Sequence, residues 1–251
     1  MLAPRLNSVP RGIVRAGLAC HYDAGDERSW AGAGQVWRDM VSGLDLALGA
    51  TTAAAADDPT FTGSVGGRSS YWAMDGADCF IQADVYAGSI LRALGRRGQP
   101  ITVEAWLYRG PVASAPEVLA ASQPANNGNG INYCLNFGGR PDVYFYPSGQ
   151  HVAGTIGVPV SAWSQVAISG APDGSTGIRH YLNGADNGGG TPSNTWTDGD
   201  SGIPLRISKD SDNNDYLQPG SRMAILRIYS RALSAAEVRH NWTIQRGRFG
   251  L

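Results

Sequence analysis

Apolar and polar residues alternate in short runs along most of this chain. In Ile101–Tyr108, Ile101, Val103, Ala105 and Leu107 fall on one face and Glu104 and Trp106 on the other, a period of two that predicts a strand. Met223–Tyr229 is apolar on both faces, which predicts a central strand rather than an edge. A first strand is expected to turn Leu18, Cys20 and Tyr22 inward. Further strands are predicted at Leu44–Leu48, Ile131–Phe137, Asp142–Tyr146, Trp163–Ile168, Ile178–Gly184 and Leu205–Ser208. Asp75-Gly76, Gly138-Gly139 and Asn183-Gly184 supply turns, Asn183-Gly184 being the strongest hairpin signal.

Helical spacing is confined to two places. Ser89–Arg97 places Ile90, Leu91 and Leu94 on one side for a turn or two, and Ser234-Ala-Ala-Glu237 is a capping box that opens a short helix. Ala235, Val238 and Trp242 can share a face of that helix, which predicts that it lies against the strand before it. Asp186–Gly202, glycine-rich around Trp196, reads as a long exposed loop, and Lys209–Gly220 as an acidic one. Residues 1–16 carry Arg5, Arg11 and Arg15, no acid, and prolines at 4 and 10, which predicts an extended N-terminal arm, either lying across a neighbouring subunit or frayed as a free terminus. The predicted fold is all-β, two antiparallel sheets packed face to face with short helices, forming one domain over 17–251.

Composition narrows the function. A hydrophobic share of 42% supports a substantial core, and 34 glycines with 14 prolines fit a turn-rich β protein. The formal charge of -1 gives no electrostatic case for nucleic acid or an anionic membrane. Cys20, Cys79 and Cys134 fall in no Cys-x-x-Cys pattern and read as small buried side chains kept reduced. The sequence has no apolar run of membrane-spanning length and no signal-peptide core near Met1, so synthesis in a cytoplasm is expected.

The run G-S-R-M-A-I-L-R-I-Y-S-R-A-L-S-A-A-E-V, Gly220 to Val238, resembles the closing strand and helix of laminin G-like, or concanavalin A-like, domains. Ile101–Tyr108, Trp163–Ala167 and Tyr181–Gly184 resemble internal strands of the same family. The tail Arg246–Leu251 and the opening Gly17–Gly25, with Ser29-Trp30, Trp37–Asp39 and Ser42-Gly43, resemble laminin G-like structural proteins of tailed bacteriophages. The resemblance implies a jelly-roll sandwich of the concanavalin A-like lectin/glucanase type. It also implies a virion structural protein, exposed on the particle as capsid decoration or cement. Its partners would be other virion proteins, the major capsid protein or tail components, and further copies of itself. A carbohydrate-binding adhesin of a tail fibre or spike, recognising a host surface glycan, is the alternative, and a glycoside hydrolase the third reading.

Candidate chemistry is sparse. Glycoside hydrolysis needs two carboxylates facing one sugar, and the only glutamates are 27, 104, 117 and 237, with no E-x-D-x-E. Glu104 has Thr102 and Trp106 at its same-face positions, and Glu237 belongs to the cap. No Gly-x-Ser-x-Gly elbow or phosphate-cradling Gly-Lys-Ser/Thr is present, so no catalytic residue is named and a non-enzyme is expected. Asp23 and Asp39 are expected to organise loops by accepting backbone amides. The acidic loop offers Asp210, Asp212 and Asp215 as oxygen ligands for calcium, the one cofactor considered, with a solvated turn as the other reading. Trp196 offers an apolar ring on which a sugar could stack, or packs on its own domain.

Overall fold

A computed structural model of the chain describes residues 12–83, 99–111, 117–121, 130–146, 150–171, 177–192, 204–210 and 215–251. Its strands, in order, are β1 (Leu18–Asp23), β2 (Val36–Trp37), β3 (Leu46–Leu48), β4 (Thr60–Thr62), β5 (Tyr71–Ala73), β6 (Ile81–Ala83), β7 (Ile101–Tyr108) and β8 (Glu117–Ala121). There follow β9 (Gly130–Leu135), β10 (Pro141–Tyr146), β11 (Gln150–Ala153), β12 (Trp163–Ala171), β13 (Gly177–Leu182), β14 (Ala185–Gly190), β15 (Arg206–Ile207) and β16 (Arg222–Tyr229). The helix α1 (Ala235–Gln245) and a 3-10 turn (Arg246–Phe249) close the chain.

Two antiparallel sheets result. The first runs β14-β13-β12-β7-β16-β5-β4, with β1 also on β16, and the second β11-β10-β9-β8-β15-β6-β3-β2. The main core lies between them: Ile101, Val103, Ala105 and Leu107 of β7, all buried, pack with Met223, Leu226 and Ile228 of β16 and with Ile131, Tyr133, Leu135, Val143 and Phe145 of the second sheet. At one end the rings of Tyr22, Trp30, Trp37, Phe61 and Trp72 form a chain of tilted and edge contacts, centroids 4.8 to 6.0 Å apart. β16 is central, as its two-sided pattern predicts, pairing with β7 on one side and with β5 and β1 on the other.

The outer face of the first sheet is covered by α1 and the tail. Ser234 caps the helix: its hydroxyl accepts the Glu237 amide at 3.3 Å, and the Glu237 carboxylate accepts the Ser234 amide at 2.9 Å. Two hydrogen bonds from Arg231, helped by those from Ser234, hold the Glu237 carboxyl down at about 2 against an ordinary 4.5. A depressed carboxyl contributes stability that is present above its unfolded value and lost as pH falls through its folded value. Acid titration of stability should therefore show a component between about 4.5 and 2 that Glu237→Gln removes while keeping the cap, since glutamine also completes a capping box. Melting curves across that window check this; an unchanged acid slope in Glu237→Gln would contradict it.

Four expectations change on contact with the structure. The buried face of α1 is Val238 and Asn241, whereas Ala235 is exposed. The asparagine wins because its amide donates to Glu104 Oε2 at 2.8 Å and to the Tyr229 hydroxyl at 3.0 Å beneath the helix. Leu18 does not share the face of Cys20 and Tyr22, because a bulge between Leu18 and Cys20 reverses the alternation and sends Leu18 under the helix with Tyr229 and Val238. Asp186–Gly190 is strand, not loop. Asn183 (φ 52°) and Gly184 (φ 72°) make a two-residue reversal that returns the chain along β13, and backbone pairing then carries a glycine-rich run with little side-chain support. The fourth change concerns the N-terminal arm, which from Gly12 onward packs on its own domain. Ile13 is buried, Val14 N donates to Asn241 Oδ1 at 2.8 Å, and His240 Nε2 meets Gly12 O at 2.8 Å. Arg15 is exposed; Arg5, Arg11 and the helix expected at Ser89–Arg97 lie outside the described residues.

The loop readings of Asp23 and Asp39 match what is seen. Asp39 accepts the amides of His21, Val41 and Ser42 and the Ser42 hydroxyl, and Asp23 accepts the Gly25 amide and Arg248 Nη1. The three cysteines are free and buried, and burial pushes the Cys20 and Cys79 thiols up to about 12.

Candidate functional site

Three of the four glutamates are engaged within the fold. Glu104, on β7, forms a fully buried ion pair with Arg227 of β16 directly across the ladder. Glu117, on β8, is paired with Arg109 Nε at 2.7 Å and reached by Ser221 Oγ at 3.5 Å. Burial pushes its carboxyl up and Arg109 draws it back, with the net shift upward. Glu237 serves the cap, and Glu27 sits on the exposed surface.

The outer face of the second sheet has a different character. Its strands alternate as their sequences dictate: Ile131, Tyr133, Leu135, Val143, Phe145, Val152, Ile81 and Ile207 turn into the core, so Asn132, Cys134, Asp142, Tyr144, His151, Arg206 and Gln82 turn out. Registration lines these residues up. His151 lies opposite Tyr144, Tyr144 opposite Asn132, Asn132 opposite Ala121, Ala121 opposite Arg206, Arg206 opposite Gln82, Gln82 opposite Ala47, and Ala47 opposite Val36. This single row crosses the whole sheet, and at ordinary strand spacing Tyr144 and Ala47 are roughly 24 Å apart.

The middle of the row is buried and both ends reach solvent. Asn132 and Ala121 are buried, and Asn132 Oδ1 has no hydrogen-bond partner among the described residues. At one end the rings of Tyr144 and His151 stack with centroids 4.9 Å apart and planes 15° from parallel. His151 Nδ1 lies 3.2 Å from both oxygens of the buried Asp142, which fixes the imidazole, and the His151 side chain is 53% exposed. At the other end a cavity of ≈ 470 Å³ opens over Ala47 and Gln82. Arg206 links middle to end, its Nε donating to Gln82 Oε1 at 3.4 Å and its Nη1 to Asp210 O at 3.3 Å; burial draws its pKa down.

The residues singled out from the sequence meet this face in part. Asp210 lies on this side of the sheet, its carbonyl accepting from Arg206 Nη1, and burial, then the carboxylates of Asp142, Asp215 and Asp210, push the Cys134 thiol up. Asp212 and Trp196 lie outside the described residues, and among the described residues no group of three or more His, Cys, Asp or Glu is arranged to hold a metal. The outward row was not singled out. Its signal is the polar half of the alternation in β9, β10 and β11, which marks a face turned away from the core without saying which strands adjoin.

A family model described as the concanavalin A-like lectin/glucanases superfamily matches residues 84–239. No curated protein sequence matches the chain. Among solved structures, the Trypanosoma rangeli sialidase in complex with sialic acid shares the fold at 14% identity and a TM-score of 0.60, over 94% of this chain and 34% of the sialidase. Domain 4 of AbnA, a GH43 extracellular arabinanase from Geobacillus stearothermophilus, in complex with arabinotriose, does so at 17% identity and 0.56, over 90% of this chain and 98% of that domain. The botulinum neurotoxin type G receptor binding domain does so at 11% identity and 0.59, over 92% of this chain and 52% of that one. The chain thus spans about a third of the length of the sialidases it matches.

Proposed function

The chain belongs to the concanavalin A-like lectin/glucanases superfamily, and on that premise we propose that it is a non-catalytic recognition module that holds a glycan on the outer face of its second sheet. The observation that carries this reading is the Tyr144–His151 stack, in which a half-buried tyrosine ring backs an imidazole that is 53% exposed and held by Asp142. A sugar ring has an apolar face that stacks on such a surface and hydroxyls at its edge that bond to neighbouring polar groups. The non-catalytic half rests on Glu104 and Glu117, whose buried arginine partners leave neither free to share a sugar with a second acid. The AbnA domain, matched over nearly its full length, was solved with arabinotriose, which makes arabino-oligosaccharides a natural first probe.

A glycan array tests this directly. The chain is expected to retain a defined subset of glycans, and Tyr144→Ala to weaken that binding about tenfold, the value of one lost stacking contact. Equal binding by Tyr144→Ala would remove the proposed face, and new reducing ends appearing during incubation would overturn the non-catalytic half.

A second reading, decoration or cement on a tailed-phage particle, is favoured by one feature. The two terminal stretches that resemble phage proteins close on each other: Arg248 of the tail pairs with Asp23 of the opening at 2.7 Å and donates to Arg68 O, and Phe249 stacks on Trp106 with centroids 4.2 Å apart. The resemblance at the two ends is therefore to one piece of architecture. Quantifying the protein on purified particles separates the readings, since decoration requires capsid-lattice stoichiometry and a fibre adhesin only a few copies.

A further inference from the structure

The cavity over β2, β3 and β6 has its own chemistry. Its apolar lining is Val36, Ala47 and Ala50, and Asp45, Thr51, Thr52 and Gln82 add polar groups; Leu46 and Ala83, which also border it, turn their side chains into the core. At ≈ 470 Å³ it falls in the size range of sites for small organic ligands. Its wall is a built loop: Gly49 N donates to Phe80 O at 2.8 Å, Ala50 N to Asp57 Oδ2 at 2.8 Å, and Ala55 N to Asp58 Oδ2 at 2.8 Å. Gln82 ties the wall to the row described above, its Nε2 donating to Ala50 O at 3.0 Å while its Oε1 accepts from Arg206.

We propose that this cavity is the seat of one neutral pyranose unit, the terminal sugar of the glycan that the second sheet recognises. An apolar lining beside hydroxyl and carboxylate oxygens suits a ring with one apolar face and hydroxyl donors at its edge. Asp45 is exposed; its Oδ1 accepts the Asp39 amide at 2.9 Å, and its Oδ2 can accept from a sugar hydroxyl. Arg206 lies behind Gln82 on one side of the cavity, whereas Asp45, with Asp57 and Asp58 behind the wall, puts negative charge on the loop side, and a carboxylated sugar is disfavoured where its carboxylate meets Asp45. The seat rests on the glycan reading, and adds to it a second contact at the far end of the row from Tyr144 and His151.

The test is calorimetric titration of the whole chain with methyl glucoside, methyl galactoside and methyl mannoside, and with methyl glucuronide and N-acetylneuraminic acid. At least one neutral glycoside is expected to bind, both acids to bind at least about tenfold more weakly, and Ala47→Trp, which fills the cavity, to abolish the neutral signal. Thr52→Trp narrows the same space from an exposed wall position and serves should Ala47→Trp not fold. Asp45→Asn is expected to narrow the gap between neutral and acidic sugars. Unchanged neutral binding in a folded Trp variant, or acidic sugars binding as well as neutral ones, would overturn the seat. Array binding lost in Tyr144→Ala but untouched by either Trp variant would overturn the seat alone and leave the glycan face standing, whereas no array binding at all would remove both.

Discussion

Arg227→Met is expected to cost about 3–5 kcal/mol of folding stability, the range for breaking a buried ion pair by removing one partner. Both side chains are fully buried, and among the described residues the Glu104 carboxylate accepts besides from Asn241 Nδ2, at 2.8 Å. With the guanidinium gone, a charge stays in a dry site between the first sheet and α1. For a chain of this size the loss corresponds to a fall in melting temperature of roughly 10 °C. Arg227→Met combined with Glu104→Leu should be more stable than Arg227→Met alone, because the stranded charge is removed with its partner. Urea unfolding followed by tryptophan fluorescence measures all three chains. A loss below about 1 kcal/mol in the single variant would mean that water reaches the pair and that the helix does not seal it.

Trp72→Ala should cost a similar amount, about 3–5 kcal/mol, through the cavity it leaves. Its ring is 1% exposed and sits among Trp30, Phe61 and Trp37 at 4.8, 5.4 and 6.0 Å, so truncation removes three aromatic contacts together. Trp72→Phe should lose far less, under about 1.5 kcal/mol, since it keeps much of the apolar volume and removes an indole N–H that has no partner in the core. The comparison by urea unfolding is informative in its order. Equal losses in the two variants would show that the indole shape, not the filled volume, holds this end of the sandwich.

Sequence reading succeeded where one local feature decides the structure. β7 and β16 were legible because their side-chain alternation is continuous, the β13–β14 reversal because asparagine and glycine both accept positive φ, and the start of α1 because serine and glutamate stand three residues apart. It failed where a distant partner decides. Leu18 changes face through a bulge that belongs to its pairing with β16, and Asn241 is buried because Glu104, 137 residues away, offers it an acceptor. β14 holds because β13 supplies hydrogen bonds to a run with almost no side chains.

The outward row was hidden for the same reason. Arg206, Ala121 and Asn132 become neighbours only through a sheet order, β9-β8-β15, that no local pattern encodes. Hydropathy could show that one face of each strand was polar, but not that these faces would form one surface ending in a stacked pair and a cavity. The terminal motifs were legible as resemblance, and the Asp23–Arg248 contact gives them a physical reason to occur together.

Titrating the isotopically labelled chain with its best array glycan, and following backbone amides by NMR, bears most directly on the recognition face. Shifts concentrated at the two solvent-reaching ends of the row, Tyr144 and His151 at one and Ala47 and Gln82 at the other, with β7, β16 and α1 silent and the glycan recovered at full length, are what this reading expects. Shifts centred on the helix-covered side of the first sheet, or a glycan shortened during the titration, would contradict it.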